Sequence, residues 1–99
     1  MIKVNVSKNN KKISISGHAL YDKYGKDIVC AAVSSTVLTT VNACLSIDSS
    51  SLKVEEKNEF MIERLDENEI IIKLLNNMLN MLEELEKDYS KYIKINREG

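Results

Sequence analysis

A chain of 99 residues, 43% of them apolar, is long enough for one hydrophobic core and too apolar to stay disordered. Its formal net charge of −1 supplies no global positive field toward nucleic acid or an anionic membrane, so any partner is met through local contacts. No stretch reaches the roughly eighteen consecutive apolar residues of a membrane helix, and Met1 opens into an alternating pattern rather than a signal peptide. The expectation is a single domain over 1–99, located in the cytoplasm.

Ile2, Val4 and Val6 alternate with polar residues, Ser7 to Asn10 supply turn chemistry, and Ile13 and Ile15 alternate again up to Gly17. This pattern predicts a β-hairpin. From His18 to Lys26 there is no sustained period, which predicts a loop, with Gly25 as a flexible point. Asp27 suits the N-cap of a helix running to about Leu45, with Cys30 at its third position and Cys30, Ser34, Val37, Val41 and Cys44 along one side. Val29, Val33, Val37 and Val41 favour strand individually, but the run is too long for one strand and lacks turn residues. A buried helix is therefore expected.

Beyond the polar stretch Asp48 to Ser51, Leu52 to Glu55 and Glu59 to Glu63 predict a second hairpin around Lys57 and Asn58. Asp66 with Glu69 reads as a capping-box start to a second helix. There Ile71, Leu74, Leu75, Met78, Leu82 and Leu85 recur at three- and four-residue steps, with Glu83, Glu84, Glu86 and Lys87 largely opposite. Met78 and Met81 suit core or dimer packing. Tyr92, Ile93 and Ile95 suggest a last short strand. The order ββα-ββα-β predicts an α+β fold, a mixed or antiparallel sheet with two helices.

The chemistry concentrates in two short segments, Gly17-His18-Ala19, which holds the one histidine, and Asp27-Ile28-Val29-Cys30-Ala31-Ala32-Val33-Ser34. A thiol opening a helix, with an imidazole on the preceding loop, is what a cysteine nucleophile and its general base require. The helix N-terminus, His18, Lys23 and Lys26 each favour the thiolate, and unpaired helix N–H groups can receive the oxyanion of an attacked carbonyl. In this scheme His18 takes the thiol proton, gives a proton to the leaving amine and then activates water against the thioester. Asp22 and Asp27 are nearby carboxylates, but Asp27 is already explained as a cap, and the reading is a Cys30–His18 dyad.

Structural readings stand beside each functional one. Cys44 is expected in the core, as Cys30 would be without its motif, and His18 alone could be a surface or capping residue. Gly17 suits a strand end with positive φ, and Ser34 suits a hydroxyl bonding back to the helix. Tyr21 and Tyr24 are either substrate contacts or ordinary surface tyrosines. Fourteen residues along one helix put Cys30 and Cys44 about 21 Å apart, so no disulfide joins them. One histidine and two distant thiols supply no zinc set, so no metal or other cofactor is expected.

The segments at 17–19 and 27–34 resemble the two signature segments of the Prp family, bacterial ribosomal-processing cysteine proteases. That resemblance implies removal of a short N-terminal extension from large-subunit ribosomal protein twenty-seven, a peptide with paired aromatic residues near the cut. It further implies homodimers and a mobile substrate loop, here Leu20, Tyr21, Asp22, Lys23, Tyr24, Gly25 and Lys26. This loop lacks the additional histidines that some relatives carry. Two other readings remain: a ribosome-associated module that binds a peptide without cutting it, and a peroxide-reacting thiol at Cys30.

Overall fold

The computed structural model describes residues 1–17 and 28–98. Five strands and two long helices occur in the order β1 (Ile2–Val6), β2 (Lys12–Ser16), α1 (Ile28–Ile47), β3 (Leu52–Glu56), β4 (Phe60–Arg64), α2 (Glu69–Asp88) and β5 (Ile93–Arg97). The strands form one mixed sheet, ordered β3-β4-β2-β1-β5. All neighbours are antiparallel except β1 and β5, which run parallel with Ile2 opposite Ile93 and Val4 opposite Ile95. This is the α+β arrangement that the element order predicts.

Strand alternation decides which face is covered. Ile2, Val4, Val6, Ile13, Ile15, Phe60, Ile62 and Ile93 are all buried and line one core with the inward sides of both helices. Lys3, Asn5, Lys12 and Lys94 alternate with them and stand exposed, so the opposite face of the sheet is polar.

α1 is a helix despite its β-branched residues because Val29, Cys30, Val33, Val37, Val41 and Cys44 recur on one side and are buried together. Its other side is not buried, contrary to the expectation of a buried helix: Ile28, Leu38 and Ile47 are exposed. The helix carries no charged residue and is, by length and composition, apolar enough to cross a membrane. Scattered Ser and Thr break up the apolar runs that a count of consecutive residues looks for. One side of α1 nevertheless belongs to the core just described.

The α2 periodicity holds, with two corrections. Leu79 is buried beside Ile71, Leu75, Met78 and Leu82, whereas Leu74 and Leu85 are half-buried and Met81 is exposed. Packing against both the sheet side and α1 widens the apolar arc beyond a single stripe. The N-cap is Asn68, in extended conformation, whose Oδ1 accepts the Ile70 N–H at 2.9 Å. Asp66 instead accepts the Asn68 N–H at 3.1 Å, making the turn that leads into the helix. β4 begins at Phe60 and β5 at Ile93, each one residue later than the sequence pattern suggests.

Connectivity puts opposite machinery at the two ends of the sheet. At one end lie the end of β2 and the starts of β1, β4 and β5. At the other, the turn Lys8–Asn10 contains two residues of positive φ, Asn9 and Asn10, a conformation asparagine tolerates. Asn10 Nδ2 donates to Asn76 Oδ1 at 2.8 Å, tying this turn to α2. Arg64, buried at 5% exposure, clamps the same end. Its Nη1 donates to Asp66 O at 2.6 Å and its Nη2 to Asn9 O at 3.1 Å, and Glu67 lies 3.2 Å from Nη1.

Candidate active site

Gly17 ends the first hairpin with φ +101, a conformation L side chains rarely adopt. A Cβ there would lie 2.5 Å from the Met1 carbonyl oxygen and 3.0 Å from Ile2 Cα, both main-chain atoms. Only glycine lets β2 end this close to the start of β1. The expected positive φ is thus present, and it fixes the point from which the chain leaves toward His18. His18, the proposed substrate loop Leu20 to Lys26 and the proposed cap Asp27 lie outside the described residues.

Cys30 is the third residue of α1, as the sequence predicts. The first turn of a helix directs its backbone N–H groups toward the helix start, the end at which the thiol sits, and donors so aimed can stabilise a developing anion. The first turn of α1 contains no acidic residue, so no carboxylate within it offsets the positive end of the helix dipole. Cys30 is 3% exposed and belongs to the core cluster. Ser34, one turn later, is half-buried.

Cys44 behaves differently from a reactive thiol. It is fully buried in the core, and burial pushes its thiol above the ordinary value of 9.0, with a backbone hydrogen bond acting in the opposite direction. No disulfide joins the two cysteines. Among the described residues no group of three His, Cys, Asp or Glu side chains is arranged to hold a metal ion.

One feature near this end is invisible in the sequence pattern. The parallel pairing of β5 with β1 brings Tyr92 beside the chain start, where its carbonyl accepts the Ile2 N–H at 2.9 Å. The backbone of Tyr92, whose side chain is exposed, therefore lies two strands from Gly17 at the same end of the sheet, although 75 positions separate the two in sequence. No local signal reports such a pairing; alternation at Ile93 and Ile95 shows a strand but not its neighbour.

Known proteins resemble this chain over nearly its whole length. The family model described as cysteine protease Prp matches residues 1–94, spanning both signature segments. The ribosomal processing cysteine protease Prp of Staphylococcus aureus is 31% identical over 97% of this chain and 98% of its own length. A crystal structure of the S. aureus ribosomal processing protease Prp with a covalently linked product peptide superposes with TM-score 0.87 and 29% identity, over 99% of this chain and 100% of that one. Another, with a substrate peptide, gives TM-score 0.85 and 28% identity over the same shares. On the extent of the family match and the identity to the S. aureus protein, this chain belongs to the Prp family of cysteine proteases.

Proposed function

We propose that the protein is a cysteine endopeptidase that removes the N-terminal extension of large-subunit ribosomal protein twenty-seven, with Cys30 as nucleophile and His18 as general acid/base. The observation that carries this reading is the position of Cys30 at the third residue of α1, within a family whose S. aureus structures hold substrate and product peptides. His18 follows Gly17, whose conformation sets where the histidine segment begins.

In the first step the Cys30 sulfur attacks the scissile carbonyl while His18 takes the thiol proton. The developing oxyanion is received by N–H groups of the first turn of α1. The C–N bond then breaks, His18 gives its proton to the leaving amine, and the new N-terminus departs. Water, deprotonated by His18, attacks the thioester, the S–C bond breaks, and the carboxylate product leaves with the thiol restored. The reaction requires no cofactor. The substrate meets the protein at Cys30, and residues Leu20 to Lys26 are the segment assigned to contact it. Asp27 would cap α1, and Ser34 would support its first turns.

The uncharged exposed side of α1, with Ile28, Leu38 and Ile47, favours a homodimer. The setting is the cytoplasm, where both thiols stay reduced. Mass spectrometry of a peptide spanning the extension and mature start of ribosomal protein twenty-seven tests the function. A single cut by wild type, absent with Cys30→Ala and His18→Ala, is expected. Binding without cutting would replace this reading with a peptide-holding module, in which Cys30 is a structural thiol.

A further inference from the structure

The face of the sheet turned away from the helices holds a recess that the proposed chemistry does not use. Alternation along β2 puts Lys12 and Ser14 on that face, since Ile13 and Ile15 point into the core. Ser14 is nevertheless only 8% exposed. It lines a cavity of about 360 Å³ together with Asn5, Lys12, Met61 and Asn96. Its hydroxyl has no hydrogen-bond partner among the described residues. No polar side-chain atom among those residues is sealed from solvent without a partner, so this oxygen opens into the cavity. An enclosed hydroxyl left unpaired is available to whatever enters.

Other donors of the lining are spare as well. Asn96 Nδ2 donates to Asn5 Oδ1 at 3.2 Å, which fixes the Asn5 amide and leaves its nitrogen unused among the described residues. Lys12 is exposed and in no ion pair there, not even with its register partner Glu63. Glu98, a carboxylate in the lining, accepts the Lys8 N–H at 3.3 Å, and Arg97 is balanced by Glu83 at 2.6 Å. Asn5 and Ser14 are register partners, so their Cβ atoms are about 5 Å apart. Lys12 lies two residues along β2, about 7 Å away on the same face. An amide N–H, a hydroxyl and an ammonium within that span match the several oxygens of one phosphate group. Met61, the register partner of Ser14 on its other side, adds a half-buried thioether as an apolar wall.

We propose that this cavity binds a small phosphomonoester, its phosphate held by Lys12, Ser14 and Asn5 and its organic part lying against Met61. The volume is at the lower end of the roughly 300–1,000 Å³ of small-molecule sites. A free small ligand is assigned rather than a nucleic-acid strand, because a net charge of −1 gives a polyanion no long-range attraction. The site is separate from the candidate active site, since Cys30 belongs to the core on the other face of the sheet.

The test is an amide NMR titration of the whole chain at low salt with AMP and UMP, beside adenosine, uridine and inorganic phosphate. At least one nucleotide is expected to bind with a Kd below about 5 mM, and to bind about tenfold tighter than its nucleoside or inorganic phosphate. The shifted amides should include Asn5, Ser14 and Asn96. Lys12→Gln, a change at an exposed side chain, should weaken that binding at least threefold, and so should Ser14→Ala. Lys53→Gln, on the same face but outside the cavity, should leave it within twofold of wild type. The proposal is overturned if neither nucleotide binds in that range, if the shifts lie elsewhere, or if Lys12→Gln binds as wild type does. Equal affinity for inorganic phosphate marks a bare anion site and overturns it too. A uridine hexanucleotide binding more than tenfold tighter than UMP overturns the assignment to a free ligand in favour of an RNA strand.

Discussion

Gly17→Ala concentrates the geometry of the site into one methyl group. The backbone at φ +101 is a conformation in which a non-glycine residue costs on the order of 1–3 kcal/mol. The new Cβ would also stand 2.5 Å from the Met1 carbonyl oxygen, and its neighbours are main chain rather than a flexible side chain. The start of β1 must therefore move, and it is tied to β5 by the Ile2 to Tyr92 hydrogen bond. Losing that bond adds about 1 kcal/mol. The sum is about 2–4 kcal/mol, a large share of the roughly 5–15 kcal/mol that stabilises a domain of this size. Urea unfolding followed by circular dichroism should show a midpoint lowered by about 1–2 M at unchanged slope, for a slope of about 2 kcal/mol per molar. At a temperature where the variant is folded, peptide cleavage should still fall, because His18 leaves from the displaced residue. A loss of stability below 1 kcal/mol would refute the close approach of β2 and β1 from which the reasoning starts.

Arg64→Met keeps much of the side-chain volume but leaves the carbonyls of Asp66 and Asn9 without their donor, and is expected to cost about 2–4 kcal/mol in the same urea assay. Glu67→Gln, which touches only the exposed partner of that arginine, should cost less than about 1 kcal/mol. Asn68→Ala should destabilise by about 1 kcal/mol as loss of an N-cap, more than Glu69→Ala does; the reverse order would restore the capping box centred on Asp66. The raised Cys44 thiol gives a sign for alkaline pH. The folded state holds its proton more tightly than the unfolded chain, so this contribution is complete below the ordinary value of 9.0 and declines as pH rises toward the folded value. Wild type should lose stability above about pH 9 more steeply than Cys44→Ala, and parallel pH profiles would contradict this.

Both hairpins and α2 were legible because each rests on a local period. Ile2, Val4 and Val6 alternate, and Ile71, Leu75, Met78 and Leu82 step along one helix face. The cap was not: Asp66 and Asn68 are both good capping residues two positions apart, and only backbone dihedral angles choose between them. The burial of Arg64 has no local signal, since it depends on carbonyls contributed by Asn9 and Asp66 from two different turns. The site was half legible. Cys30 falls at the third helical position and Gly17 has the positive φ that its place suggests, because both follow from local chain geometry. The neighbourhood of Tyr92 depends on a pairing between the two ends of the chain, which no window of sequence contains.

Acid-quenched mass spectrometry of the intact protein during cleavage of the ribosomal protein twenty-seven peptide tests the central claim most directly. The account predicts a transient species heavier by the acyl portion of the N-terminal fragment, mapped to Cys30 by digestion and absent in Cys30→Ala. Cleavage that proceeds with no adduct and survives Cys30→Ala would contradict it.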